Sequence, residues 1–188
     1  MTITVSTITV SPLERGRTWA EALAFAATTP SDNSQHVQTL YDLARAIRPA
    51  LAVEIGVGFG WFTTAILAAL EGTDGKLLSV DRVEYPETRR ALACDWWEYI
   101  IEDSERFARS WQGEIDLLVF DHSHIHPSHT TYPLGLLAPS ISESGAVVVH
   151  GTASHPELGA ALRAWAAGAW AIEEHADNGG LAILRRRT

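Results

Sequence analysis

Residues 51–60, Leu51-Ala52-Val53-Glu54-Ile55-Gly56-Val57-Gly58-Phe59-Gly60, run straight into Trp61-Phe62-Thr63-Thr64-Ala65-Ile66-Leu67-Ala68-Ala69-Leu70. An apolar run of strand length meets three alternating glycines, and an Ala- and Leu-rich helical pattern follows at once. That is a strand, a tight loop and a helix, the opening half of a βαβ unit. Glycine lets a loop take left-handed or crowded conformations and lets a ligand approach the main chain without meeting a Cβ. The helix points its free N–H groups at whatever the loop holds. The next apolar strand, Lys76-Leu77-Leu78-Ser79-Val80, ends in Asp81. In an open α/β sheet that position faces the ribose hydroxyls of a bound nucleoside. The pattern points to an adenosine-containing ligand.

Working outward, the spacing of Trp19, Leu23, Ala26 and Ala27 predicts a helix over 13–28, stopped by Pro30. Ser31-Asp32-Asn33-Ser34 reads as a turn with cap candidates for a second helix over 35–47, with Val37, Leu40, Tyr41, Ala44 and Ile47 on one face. Beyond Asp81 the pattern predicts a helix over 86–93, a strand over 96–101 and a helix over 105–111. Trp96 and Trp97 are adjacent, so on a strand they would face opposite ways. The run 114–121 is a strand apolar enough to be buried on both faces, and it ends in Asp121. A histidine-rich loop, 122–129, leads to a helix within 130–139 that Pro133 restricts to starting near itself. Ser144-Gly145 reads as a turn into a buried strand, 146–150, followed by a helix over 156–167. Strands 170–175 and 181–186 flank Asp177-Asn178-Gly179-Gly180, a hairpin turn signal. Strands and helices alternate and the chain closes on a hairpin. The expected fold is α/β, a doubly wound, mostly parallel sheet with an antiparallel strand near its end.

The totals bound the function. At 188 residues the chain is expected to be one domain, 1–188, with an N-terminal helical segment (1–48) and an α/β core (49–188). The net charge of −9 argues against nucleic acid or an anionic membrane as partner, because phosphate binding needs a basic surface. Arg185-Arg186-Arg187 is the exception and reads as a solvated tail. The lone Cys94 cannot form an intramolecular disulfide, which fits a reducing, cytoplasmic compartment. Residues 1–11 lack the basic start and long apolar core of a signal peptide, and no window approaches a membrane span.

Together, these motifs resemble the class I S-adenosylmethionine-dependent methyltransferases, whose fold is a seven-stranded Rossmann-like sheet ending in an antiparallel hairpin. The resemblance runs over about 51–186 and is closest to the small-molecule O-methyltransferase branch. It rests on Val53-Glu54-Ile55-Gly56-Val57-Gly58-Phe59-Gly60, Ser79-Val80-Asp81, Ile101-Glu102-Asp103-Ser104, and Asp116-Leu117-Leu118-Val119-Phe120-Asp121 followed by His124. It implies that Glu54, Gly56, Gly58 and Gly60 serve the methionine part of the cofactor and that Asp81 binds the ribose. Asp103 and Ser104 would lie beside the adenine, and Asp121 near the methionine or the substrate. The residues agree with a sulfonium cofactor over a dinucleotide. The glycine pattern is G-x-G-x-G after a glutamate, where a dinucleotide fingerprint is G-x-G-x-x-G. A carboxylate beside the loop suits a cationic ligand and repels a pyrophosphate.

Six of the eight histidines fall between 122 and 155: His122, His124, His126, His129, His150 and His155. In a doubly wound sheet the loop after 114–121 and the end of 146–150 both open onto the ligand crevice. One histidine there can take the proton of an acceptor hydroxyl, since an imidazole is neutral yet basic near working pH. His124 matches the family's position, with His150 and then His122 as further candidates. A metal site built from Asp121, His124 and His150, with His122 or His126, is a second reading. Catechol-type relatives hold a divalent metal through an acid after the fourth strand and an Asp-Asn pair after the fifth, where this chain has His150-Gly151-Thr152. Magnesium prefers oxygen ligands, whereas imidazoles favour zinc, iron or nickel. Trp61, next to the glycine loop, could line a pocket.

The resulting expectation is transfer of the sulfonium methyl group to an oxygen of a small molecule, with a histidine as base. With no inserted substrate domain, a lid would come from the N-terminal helices, the 122–135 loop or a second subunit of a homodimer. Two rivals share the scaffold: a metal-dependent hydroxylase-like or cyclising enzyme using the histidines, and a non-catalytic cofactor-binding partner protein.

Overall fold

The computed structural model describes residues 18–122 and 126–187. The described residues open on two helices. Helix α1 (Trp19–Thr28) starts at Thr18, whose hydroxyl accepts from the Glu21 N–H while the Glu21 carboxylate accepts from the Thr18 N–H. This reciprocal cap fixes the start at 19. The expected 13–17 portion lies outside the described residues. Helix α2 (Ser34–Ile47) buries Val37, Leu40, Leu43 and Ala44 on one face and ends where Arg48 turns left-handed.

Strand β1 (Leu51–Ile55) then leads through the glycine loop to α3 (Trp61–Leu70). There follow β2 (Lys76–Asp81), α4 (Pro86–Leu92), β3 (Trp97–Ile101), α5 (Ser104–Ser110), β4 (Ile115–Phe120) and α6 (Ser128–Leu137). Strand β5 (Ile141–His150), α7 (Pro156–Ala166), β6 (Trp170–His175) and β7 (Leu181–Arg186) complete the chain. The strands form one sheet in the order β3-β2-β1-β4-β5-β7-β6. All pairings are parallel except those of β7, which runs antiparallel to both β5 and β6. The expected fold class and the closing hairpin are both present.

Side chains alternate along each strand, so the sheet has two apolar faces. Ala52, Leu117, Val119, Ala146 and Val148 pack on α1, α2 and α3. Val53, Ile55, Leu118, Phe120, Val147 and Val149 face the layer that contains α5, α6 and α7. The crossovers therefore cover both faces, and the open ground left to a ligand is the carboxyl edge of the strands.

Four expectations need correction. Helix α6 starts at Ser128, with Pro133 inside it, because the turn nucleates on the Pro127 carbonyl, which accepts from Thr130 and Thr131. The buried Leu134 and Leu137 hold the helix through the proline. Strand β5 starts at Ile141, and Ser144-Gly145 is no turn. Its pairing with β4 slips between Ile115 and Leu117, and a Cβ on Gly145 would lie 2.9 Å from Ile141 Cγ2 and 3.0 Å from the Asp116 carbonyl. That slip absorbs extra residues as a bulge. Trp96 and Trp97 both pack against the same core layer, since Trp96 precedes the strand and escapes its alternation. Finally, Arg185 and Arg186 belong to β7 and are not a solvated tail. Arg186 lies 4.8 Å over the Trp170 ring and donates to the Ala138 and Ile141 carbonyls, while Arg187 donates to Trp170. Among the described residues no helix is long and apolar enough to cross a membrane.

Candidate active site

A cavity of about 760 Å³ opens at the carboxyl ends of β1, β2 and β4, where the strand order reverses between β1 and β4. Its floor is the glycine loop. Gly56 sits at φ +95°, and a Cβ there would fall 2.3 Å from the Asp121 carbonyl oxygen, so two strand ends come together only because this residue is glycine. Gly58, at φ +48°, would place a Cβ in open space, leaving its backbone accessible from the cavity. Gly60 caps α3.

Asp81 lines the cavity and anchors the loop at once. Its Oδ2 accepts from the N–H groups of Val57 (2.8 Å) and Gly58 (3.3 Å), and its Oδ1 accepts from Val83 N–H (3.0 Å). A carboxylate offers about four acceptor positions, so a ribose hydroxyl can still donate to it. Asp103 and Ser104 stand on the opposite wall. Asp103 caps α5 through Oδ1, which accepts from Glu105 and Arg106. Its second oxygen has no hydrogen bond among the described residues.

Glu54 lies beneath the loop and does not border the cavity. It is fully buried, and its carboxylate accepts from Ser79 Oγ at 2.6 Å and from Thr63 Oγ1 at 2.8 Å. Trp97 Nε1 in turn donates to Ser79 Oγ at 2.9 Å. Burial dominates, and the two hydroxyl donors only partly offset it, so the carboxyl is pushed up to about 8.

Asp121 reaches the cavity wall with both oxygens held. Asn33 Nδ2 donates to Oδ2 at 2.6 Å, and His150 Nδ1 lies 2.9 Å from Oδ1. The other nitrogen of His150 faces the carbonyl oxygens of Asp32 and Asn178 at 3.2 and 3.3 Å. With acceptors at both nitrogens, the ring is a double donor. Burial pulls its pKa down, but the bond to Asp121, that residue's charge, the Asn178 carbonyl and the Asp32 charge outweigh it, and the net shift is upward. Phe62 and His36 pack edge-on against the ring. His150 is thus a buried partner of Asp121 away from the cavity lining.

Of the other histidines, His122 and His129 line the cavity, and His124 lies outside the described residues. Asp121 Oδ1 and His150 Nδ1, the atoms a shared cation would need, are spent on each other. Among the described residues no group of three or more His, Cys, Asp or Glu side chains is placed to hold a metal ion. Trp61 packs into the core layer of α1–α3 and not into the cavity. Asn33, read as a cap, makes no capping bond and serves Asp121 instead. Its place immediately before an amphipathic helix carries the same signal as any cap, so the sequence could not separate the two. Val83, Tyr85 and Tyr132, which complete the walls, had no motif to mark them.

A family described as a methyltransferase domain matches residues 53–152, from β1 to just past the end of β5. The chain belongs to this methyltransferase family. Its seven-stranded order with the antiparallel β7 makes it a class I S-adenosylmethionine-dependent enzyme. Solved structures agree on the fold. A Geobacter sulfurreducens methyltransferase superposes with a TM-score of 0.69 at 19% identity, covering 94% of this chain and 91% of its own. A SAH-bound methyltransferase of Podospora anserina gives 0.67 at 15% identity, over 90% and 88%. An O-methyltransferase of Streptomyces achromogenes involved in tomaymycin synthesis, solved with SAM, gives 0.64 at 16% identity, over 88% and 89%. No curated protein matches the chain.

The cavity fits that cofactor on its own chemistry. Among the described residues five carboxylates border it (Asp81, Glu102, Asp103, Glu105 and Asp121) against one arginine, Arg82. An acidic basin attracts a sulfonium and an ammonium, and opposes a polyphosphate.

Proposed function

We propose that this methyltransferase transfers a methyl group to a hydroxyl oxygen of a small molecule. The observation that carries the reading is the acidic cavity at the β1/β4 switch point, floored by glycine backbone and walled by Asp81 and Asp103. S-adenosylmethionine supplies the electrophilic methyl group. The protein's part is chiefly to hold donor and acceptor in line, which can account for a large share of the barrier reduction.

In this reading Asp81 accepts from the ribose hydroxyls, Asp103 and Ser104 flank the adenine, and the loop of Gly56, Gly58 and Gly60 admits the methionine part. Asp121 accepts from that part or from the acceptor. Glu54 acts from below by fixing Thr63 and Ser79 under the loop. The proton of the acceptor hydroxyl passes to a histidine of the loop after β4, His122 at the cavity wall or His124 two residues on. His150, a candidate from sequence for the same task, is a donor at both nitrogens here and is the weaker choice.

Calorimetric titration with S-adenosylmethionine and its demethylated product tests the cofactor site. Both are expected to bind, and Asp81→Asn, which keeps the shape of the side chain but removes its charge, is expected to weaken both about 10- to 100-fold. Asp81→Ala is a poorer test because it also frees the Val57 and Gly58 amides. Failure of the wild-type chain to bind either compound overturns the reading. Acceptor hydroxyl compounds are then screened with and without added divalent metal.

A further inference from the structure

Asn33 and Asp121 are separated by 88 residues, yet Asn33 Nδ2 donates to Asp121 Oδ2 at 2.6 Å. Asn33 sits at the start of α2, in the N-terminal helical layer, and is only 7% exposed. Asp121 directly follows β4 and keeps a side chain 22% exposed on the cavity wall. His150, 5% exposed at the end of β5, takes the other carboxylate oxygen. Its far nitrogen is tied to the Asp32 carbonyl, next to Asn33, and to Asn178 in the β6–β7 turn. His36, one turn into α2, reaches the Asp177 and Asn178 carbonyls of the same turn. The α2 start, the ends of β4 and β5 and the last hairpin thus converge on one carboxylate.

We propose that Asn33 is a positioning residue for methyl transfer: with His150 it clamps the two oxygens of Asp121, so that the carboxylate meets the ligand in one fixed, charge-compensated orientation. The proposal rests on the reading of Asp121 as a residue that faces the methionine part of the cofactor. A carboxylate held by one donor on each oxygen cannot rotate about its last bond without breaking both. It still has lone pairs free on its cavity side. An N–H or O–H of the ligand therefore finds an acceptor already aimed, with no side-chain ordering to add to the cost of binding. Without Asn33, Oδ2 loses its buried partner and the carboxylate can turn toward solvent. The N-terminal helices then have a part in the site that goes beyond covering the sheet.

The test is a double-mutant cycle on affinity for the demethylated product, S-adenosylhomocysteine, read by calorimetry. The proteins are wild type, Asn33→Ala, Asp121→Asn and the double variant, with thermal melting of each to establish folding. Asn33→Ala is expected to weaken binding about 5- to 10-fold. In the Asp121→Asn background the same change is expected to shift affinity by less than about twofold, because a residue acting through another adds nothing once that other is altered. Asn33→Ser, which keeps a small polar side chain but cannot span the gap, should reproduce the Ala result if the Ala variant fails to fold. Wild-type affinity in Asn33→Ala and Asn33→Ser, or losses that multiply in the double variant, would overturn the clamp while leaving the cofactor site standing. A wild-type chain that does not bind the compound would overturn both.

Discussion

Glutamate 54 turns the buried polar group under the glycine loop into a quantitative prediction. The perturbation is Glu54→Gln, which keeps the shape and the contacts with Thr63 and Ser79 but cannot ionise. In the folded chain the carboxyl is pushed up to about 8 by burial, from an ordinary 4.5. The folded protein therefore keeps a proton that the unfolded chain has released, and stability from this group falls as pH rises. The contribution is complete below 4.5 and its loss ends only above about 8, where both states are ionised. Integrated over the two titrations, wild type loses about 3 kcal/mol between about pH 6 and about pH 9 on this account. The Gln variant loses none of it. For a chain of this size that widens the gap in melting temperature by about 6–12 °C in favour of the variant. Thermal or urea unfolding followed by tryptophan fluorescence reads it directly, and the difference between the two proteins cancels the other titrating groups. A gap that does not change with pH would refute the reasoning, since it would mean that Glu54 ionises normally and is not desolvated.

Further outcomes follow from the loop and the sheet edge. Gly56→Ala, forced to φ +95° with a Cβ 2.3 Å from a backbone oxygen, should cost about 2–4 kcal/mol in urea unfolding and abolish cofactor binding. Gly58→Ala, where a Cβ meets nothing in the protein, should cost only about 1 kcal/mol and show itself in weakened cofactor affinity. Once screening has found an acceptor, His122→Ala or His124→Ala should lower turnover by about 10²- to 10⁴-fold with cofactor affinity within about twofold. Full turnover in both variants would remove the histidine base. Arg186→Ala should lower stability by about 1–2 kcal/mol through the lost Trp170 stack and the two carbonyl bonds, with binding unchanged by calorimetry.

The sheet was readable because its signals are local and redundant. Apolar runs of strand length alternate with amphipathic helices, and the turn Asp177-Asn178-Gly179-Gly180 marks the hairpin that separates β6 from β7. What escaped the sequence were contacts between distant segments. Nothing in the residues that open β5 announces a bulge, which exists because Gly145 packs under the Asp116 carbonyl of another strand. Pro133 argued for a helix start, and local propensity lost to the buried Leu134 and Leu137. At the site, Asp81 and the glycines were legible because spacing alone places them at strand ends. The environment of a carboxylate was not: Glu54 and Asp121 look alike in the sequence, yet one is sealed beneath the loop and the other is clamped on the wall. The role of Asn33 depends on a partner 88 residues away.

The attachment of Asp81 to the Val57 and Gly58 amides has a thermodynamic consequence for association. The loop is already ordered before anything enters, so capture of the cofactor resembles docking onto a rigid surface and not folding around a guest. Its heat-capacity change should then reflect only the area covered by the ligand, without the additional decrease that accompanies ordering of a segment. Its on-rate should be governed by diffusion into an acidic basin, and it should slow as salt screens the attraction between that basin and a cationic ligand.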